Sequence, residues 1–122
     1  MSVRHGFYAD WRGGEYEASP DGDRVRLYAT RDADGFHRTG PDRFVRVVPE
    51  PDVDRLFYVS TRCVWRGEPF VVLGEQDGWL RLEYSGGDAR IAQGMGLELF
   101  DRDVYQAWAA RDEVRDMHEE VV

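Results

Sequence analysis

The groups in this chain that could do acid–base chemistry are closely spaced carboxylates. Four Asp-X-Asp pairs occur: Asp21 and Asp23, Asp32 and Asp34, Asp52 and Asp54, and Asp101 and Asp103. A glycosidase or a nuclease needs two carboxylates that converge in a cleft with displaced pKa values. These pairs stand in turn-like segments or at the starts of helical turns, where Asp caps backbone amides. We interpret them as caps and solubilising charges, with recognition of a cationic surface as the second interpretation.

Nucleophilic, metal and phosphate chemistry have weaker signals. His5, His37 and His118 are scattered without the spacing of metal ligands. Cys63 lies on the apolar parity of a strand pattern, where a thiol behaves as a small hydrophobe, and no G-x-S-x-G motif is present. The glycine-rich "YSGGDARIAQGMG" lacks the Lys-Ser/Thr ending of a P-loop. The sequence therefore predicts no catalytic residue, no metal, no cofactor and a buried, inert Cys63.

Composition limits the class of partner. The 122 residues carry a net charge of −8, which opposes contacts with nucleic-acid phosphates and favours a basic protein surface. All sixteen cations are Arg, and the absence of Lys and Asn indicates a GC-rich genome, an actinobacterium for preference. The first residues lack the apolar core of a signal peptide, and no apolar run reaches the roughly 18 residues of a membrane span. We expect a cytoplasmic protein with no membrane contact.

Period-two alternation indicates short β-strands. Phe57, Val59, Cys63 and Trp65, with Thr61 between them, share one parity, and Phe7, Ala9 and Trp11 repeat the pattern upstream. Glycine-containing turns follow each strand, as in "RGG", "SPDGD" and "EQDG". For residues 104–118, a turn followed by a strand that carries Trp108 is favoured over a helix, and the last six residues are expected to fray.

The chain also repeats itself. "WRGGEYEASPDGDRVRLY" aligns with "WRGEPFVVLGEQDGWLRLEY" at an offset of about 54 residues, so that Trp11 matches Trp65. Asp-Val occurs again at Asp52 and at Asp103, as if one helical turn closed each copy. The repeat predicts two β units, residues 1–56 and residues 57–122 with a C-terminal tail. Trp11 and Trp65 are expected to be buried, and Trp79 to be partly exposed.

Five short strands in about 55 residues, a long loop and a terminal helical turn resemble the SH3-like barrel, and "DGWLRLEY" resembles its central hairpin. The resemblance implies a mainly β protein of two tandem SH3-like five-stranded units that share an interface, with short helical turns. One such unit buries only about 60% of its unfolded surface and is marginally stable alone. Stability therefore explains the duplication.

A small acidic protein of duplicated β units is similar to the immunity proteins that bacteria encode beside secreted polymorphic toxins. The resemblance implies a non-catalytic monomer that blocks the basic active-site cleft of a cognate nuclease or NAD-consuming toxin. One alternative is an SH3-like ligand- or peptide-binding module with a groove near Trp79 and Tyr84. Another is a small hydrolase whose carboxylates meet at the repeat interface.

The predicted working surface centres on the loop "RDADGFHRTGPD", because long loops in compact domains are usually functional or disordered. In this hypothesis Phe36 is an aromatic anchor flanked by Asp32 and Asp34, two acids that can pair with a basic site. The predicted partner-binding residues are Asp21, Asp32, Asp34, Phe36, His37, Asp52, Asp77 and Trp79.

Overall fold

A computed structural model describes residues 3–122, which form eleven strands, one short helix and two 3₁₀ turns. The strands are β1 (Gly6–Trp11), β2 (Gly14–Asp21), β3 (Arg24–Ala29), β4 (His37–Gly40), β5 (Arg43–Pro49), β6 (Arg55–Trp65), β7 (Glu68–Gln76), β8 (Trp79–Tyr84), β9 (Glu98–Asp101), β10 (Val104–Ala110) and β11 (Val114–Val121). The helix α1 spans Ala89–Gly94, and the 3₁₀ turns span Glu50–Asp52 and Arg111–Glu113.

All the strands pair in one antiparallel sheet. Their order is β4-β5-β3-β2-β1-β6-β7-β8-β10-β9, and β11 pairs with β6 off this path. The prediction of a mainly β protein with short helical turns is confirmed.

The chain divides into two compact units. The first unit is Gly6–Val59 with Val122, and the second is Ser60–Val121 with residues 3–5. Both units thus take part of their residues from β6. The predicted domain boundary after residue 56 stays a prediction.

The two units have the same strand order. It is β4-β5-β3-β2-β1-β6 in the first unit and β9-β10-β8-β7-β6-β11 in the second. In each unit a 3₁₀ turn precedes the last strand. The registers also correspond, since Arg24 pairs with Pro49 on β3 and β5, and Trp79 pairs with Ala110 on β8 and β10. These correspondences define equivalent positions in the two units.

Each core is built around one tryptophan at the end of a strand. Trp11 and Trp65 are each 5% exposed, as predicted. Two-residue turns follow them, with φ of 49° and 77° at Arg12 and Gly13 and of 51° and 79° at Arg66 and Gly67. Positive φ at both central residues suits the twist of a tight hairpin, and glycine adopts it without steric cost. The arginine of each turn lies over the preceding indole, at 4.5 Å in the first unit and 4.3 Å in the second.

Both long segments that the sequence indicated as loops contain regular structure. The segment "RDADGFHRTGPD" contains β4, which pairs with β5. The segment "SGGDARIAQGMG" contains α1, and Asp88 caps it by accepting hydrogen bonds from the backbone N–H groups of Arg90 (3.0 Å) and Ile91 (3.4 Å). An Asp N-cap satisfies amides that a helix leaves unpaired, which stabilises even this short helix.

The C-terminal predictions are partly right. Trp108 lies on a strand, as favoured, but the second helical turn is Arg111–Glu113, whereas Asp103 has a φ of 56° in the tight connection between β9 and β10. The prediction of a frayed end is wrong, because β11 extends to Val121. Two ion pairs hold the end of β11 in place: Arg4 lies 2.8 Å from Glu119, and Arg62 lies 3.0 Å from Glu120.

Candidate functional site

The outward side of β8 and β10 in the second unit carries two exposed tryptophans. Side chains alternate along both strands, so Leu80, Leu82 and Ala109 enter the core while their neighbours point outward. Trp79 is 51% exposed and Trp108 is 48% exposed. We call this surface the aromatic face, and its members are Trp79, Arg81, Glu83, Gln106 and Trp108.

A hydrogen-bond network occupies the middle of the aromatic face. Arg81 donates from Nε to Gln106 Oε1 (3.0 Å) and from Nη2 to Glu98 Oε2 (3.1 Å). Gln106 in turn donates from Nε2 to Glu83 Oε1 (3.1 Å). The Arg81 guanidinium also lies 5.4 Å from the centre of the Trp108 ring. These contacts hold the Arg81 guanidinium between Gln106, Glu98 and the Trp108 ring.

The first unit shows that the fold itself does not require these tryptophans. Strand register makes Arg24 the equivalent of Trp79, since both stand opposite the last residue of the paired strand. By the same register Val47 is the equivalent of Trp108, because each pairs with the central arginine of the neighbouring strand, Arg26 or Arg81. The same strand lattice therefore accepts Arg and Val where the second unit exposes two indoles. Exposed large apolar side chains that the fold does not need are typical of interaction surfaces.

Phe36, the predicted anchor, packs into the core of the first unit. Its side chain is only 9% exposed and packs on Tyr16 and Trp11, with ring centroids 5.5 and 6.2 Å away. The loop turns inward because the Phe36 N–H donates to the Ala33 carbonyl (3.0 Å), which directs the ring into the core of the first unit. Phe36 is thus a core residue of the first unit in this structure, and its role as a partner-binding anchor stays a prediction.

The other predicted binding residues are exposed. Asp32, Asp34 and His37 surround the buried Phe36, and Asp52 lies in the first 3₁₀ turn. Asp21, at the end of β2, is 3.5 Å from Arg26 in an ion pair. These five residues belong to the first unit.

The two remaining predicted residues lie in the second unit. Asp77 forms the turn between β7 and β8 with a φ of 50°, and Trp79 follows it on the aromatic face. Tyr84 does not share a groove with Trp79, because it lies on the core side of β8 and packs edge-on against Phe70, 5.6 Å between centroids. The two side chains thus lie on opposite faces of β8, and the alternative of a ligand- or peptide-binding module stays a prediction.

Sequence reasoning missed Trp108, Arg81 and Gln106 as members of a site. The signal was present in the repeat, because "VYQAWAA" on β10 is the counterpart of "RFVRVVP" on β5. An alignment of these two segments would have shown that Trp108 stands where the first copy has Val47, at a position whose side chain points outward.

A family model matches this chain. The family described as "uncharacterised conserved protein UCP033725" matches residues 3–122, nearly the whole chain. The chain belongs to this family. Comparisons with curated proteins and with solved structures found no match. The family description names no activity, so the predicted immunity role stays a prediction for this family member.

Residues 3–122 contain no group of three or more His, Cys, Asp or Glu side chains placed to hold a metal ion. Over the same part of the chain, no helix has the length and apolarity to cross a membrane.

Cys63 is buried at 3% exposure in the second unit's core. Burial raises the pKa of its thiol from 9.0 to about 11, because the apolar surroundings disfavour the thiolate. We expect thiol reagents at pH 7.5 to label native Cys63 at least about tenfold more slowly than the urea-unfolded chain, measured by mass spectrometry. Equal labelling rates in the two states would show that the thiol is accessible and reactive.

His118 on β11 has a raised pKa. Its Nδ1 lies 2.7 Å from the Asp116 carbonyl and its Nε2 lies 3.2 Å from Glu120 Oε1, and both contacts favour the protonated ring. We expect an NMR titration to place this pKa above the ordinary value of 6.5, and the Glu120→Gln variant to lower it. Because the pKa of His118 is higher in the folded chain than in the unfolded chain, protonation of this ring stabilises the fold. The stabilisation is complete below about pH 6.5 and is lost as the pH rises through the folded-state pKa. An identical pKa in both proteins would exclude the contribution from Glu120.

Proposed function

We propose that this protein is a non-catalytic binding protein that holds a basic partner protein on the aromatic face. The observation that carries the proposal is the pair of half-exposed tryptophans, Trp79 and Trp108, at positions where the first unit has Arg24 and Val47. Tryptophan is enriched among the residues that dominate binding energy, since its large rigid ring buries much area at low entropic cost.

The charges around the aromatic face indicate the chemistry of the partner. Exposed acids lie on the elements that carry it: Asp77 in the turn before Trp79, Glu98 bonded to Arg81, and Asp101 and Asp103 in the hairpin that leads into β10. The whole chain has a net charge of −8. The central Arg81 is already paired with Glu98. An acidic rim around aromatic anchors favours a partner with exposed Arg or Lys, which raises the association rate and excludes acidic competitors.

The biological role that we propose is that of an immunity factor for a secreted toxin with a basic active-site cleft, a nuclease or an NAD-consuming enzyme. Its support is the combination of small size, acidic charge and an exposed aromatic anchor pair. The acidic turns of the first unit, at Asp21, Asp32, Asp34 and Asp52, are the proposed secondary contacts, together with His37. The protein would act in the cytoplasm as a monomer when alone.

We further propose that each unit is an SH3-like module. Support comes from the strand connections: in the first unit β1, β2, β3 and β5 pair in succession, a 3₁₀ turn follows, and the last strand returns to pair with β1. In this interpretation β4 is an insertion between β3 and β5, and α1 with β9 is the corresponding insertion between β8 and β10. The additional strand makes six per unit in place of the expected five.

The immunity role predicts that a secreted toxin is encoded beside this protein in its genome, and the test uses that toxin. The purified pair should form a 1:1 complex in size-exclusion chromatography with light scattering, and a stoichiometric amount of this protein should abolish toxin activity. A toxin that stays fully active in excess binding protein would refute the immunity role. Binding without inhibition would leave the binding function and remove the role as an inhibitor.

A further inference from the structure

The strand β9 is an open edge of the second unit. In the part of the chain that the structure describes, β9 pairs only with β10. All four of its residues are exposed. Every second backbone N–H and C=O of an edge strand points away from its neighbour and can accept another strand.

This edge strand exposes apolar side chains, whereas edge strands usually expose charged residues that prevent pairing with other chains. Leu99 is 63% exposed and Phe100 is 64% exposed. The register shifts between Val104 and Tyr105 on β10, so Phe100 is the extra residue of an irregularity that breaks the alternation of side chains on β9. That break explains why two consecutive apolar residues are both exposed.

The equivalent edge of the first unit is built differently. The strand β4 reads His37, Arg38, Thr39 and Gly40, and its register against β5 shows a shift at the same place. It bears no large apolar side chain. Polar and charged edges discourage strand addition, so the contrast marks β9 as the edge that is suited to accept another strand.

We propose that β9 binds an extended segment of the partner protein, which adds to the sheet as an additional strand. This inference deepens the proposed function, on which it rests, by naming how part of the partner is held. In strand addition the main chain supplies the hydrogen bonds and the side chains supply the specificity. Here Glu98 and Asp101 flank Leu99 and Phe100, so the matching segment has two basic residues three positions apart with two apolar residues between them.

Both flanking acids remain available to such a segment. Glu98 accepts a hydrogen bond from Arg81 through Oε2 (3.1 Å), and its side chain is still 62% exposed. Asp101 accepts from the Arg102 N–H through Oδ1 (2.7 Å) and is exposed. Each carboxylate has a second oxygen that can face a lysine or an arginine of the added strand.

A second copy of this chain is a poor occupant of the same edge. Antiparallel pairing of two β9 strands with the apolar residues matched places Glu98 opposite Asp101 twice. Like charges directly opposite each other on paired strands are destabilising, and two chains of net charge −8 repel each other. A basic segment of a different protein would place neither like charges opposite each other nor two acidic chains side by side.

The probe is a capped peptide, Ser-Lys-Val-Val-Lys-Ser, titrated into the ¹⁵N-labelled full chain and followed by NMR. We expect chemical-shift changes centred on β9, with a Kd on the order of 0.1–1 mM, which is ordinary for a short peptide. A control peptide with Glu in place of both lysines should bind at least about tenfold more weakly. The double variant Leu99→Thr, Phe100→Thr, which retains residues suited to strands, should lose at least about tenfold in affinity for the lysine peptide.

Three results would overturn the inference. They are no shift on β9 at about 2 mM peptide, equal affinity for the lysine and glutamate peptides, and a concentration-dependent dimer of this protein formed through β9. The variant Trp79→Arg, Trp108→Val separates this inference from the proposed function, because it should still bind the peptide. If β9 takes no peptide while the aromatic face binds a partner protein, strand addition fails and the proposed function stands. If the peptide binds and no partner protein needs the aromatic face, the proposed function fails alone.

Discussion

Replacement of Trp65 by Ala is expected to lower the free energy of unfolding by about 3–5 kcal/mol, the range for a large aromatic residue removed from a core. The indole is 5% exposed and packs edge-on against Phe70, 5.4 Å between ring centroids. Its Nε1–H points to Glu113 Oε2 at 3.4 Å, and Arg66 covers one of its sides at 4.3 Å. Because small proteins are stable by only about 5–15 kcal/mol, the loss is a large part of the total.

The measurement is urea unfolding followed by circular dichroism, with Trp79→Ala as the matched control. Trp79 is half exposed on the same unit, so its removal should cost at most about 1 kcal/mol. If Trp65→Ala fails to fold, Trp65→Phe provides the same comparison with a smaller loss. Equal destabilisation by the Trp65 and Trp79 variants would contradict the assignment of Trp65 to the core.

Exchange of both exposed tryptophans for the residues of the first unit is expected to weaken partner binding by at least about 2 kcal/mol, or roughly 30-fold. The variant is Trp79→Arg with Trp108→Val. Arg24 and Val47 occupy the equivalent positions in the first unit, so the sheet should tolerate the exchange. The loss should occur mainly as faster dissociation, because central anchors determine the lifetime of a complex and charges determine the encounter.

The control for this experiment is the variant Arg24→Ala, Val47→Ala, which changes the equivalent face of the first unit. Its affinity should stay within about threefold of the wild type. The association rate of the wild type should fall as salt rises, because an acidic rim attracts a basic partner through a screened field. Equal affinity losses in the two double variants would contradict a specific role for the second unit.

The β character and the core tryptophans could be predicted because both depend on local patterns. The alternation from Phe57 to Trp65 has the period of a strand, and the turns after Trp11 and Trp65 contain the glycines that positive φ requires. The repeat supplied a second, independent sample of the same pattern. The burial of both tryptophans follows from these signals.

The second helical turn could not be placed because the spacing of the repeat changes along the chain. Trp11 and Trp65 are about 54 residues apart. The residues that directly follow the two 3₁₀ turns, Val53 and Val114, are about 61 residues apart. Helix α1 lies between β8 and β9, and it lengthens the second copy. The Asp-Val at Asp103 matched the first copy by coincidence and lies in a hairpin turn.

The site was predicted less well because it depends on contacts between distant residues. Phe36 stands among charged residues, and nothing local shows that its ring packs on Trp11 and Tyr16. Trp108 could be placed on a strand, but its exposure depends on the register of β10 against β8. The pairing of strands, more than the residue types, decides which aromatic side chains are available to a partner.

The most direct test of the aromatic face is site-specific photocrosslinking in the native host. The photoreactive amino acid benzoylphenylalanine is placed at position 108 in one protein and at the equivalent position 47 in another, and crosslinked products are identified by mass spectrometry. We expect one partner protein, crosslinked from position 108 through a segment rich in Arg or Lys, and no such product from position 47. A partner captured only from position 47, or equally from both positions, would contradict it.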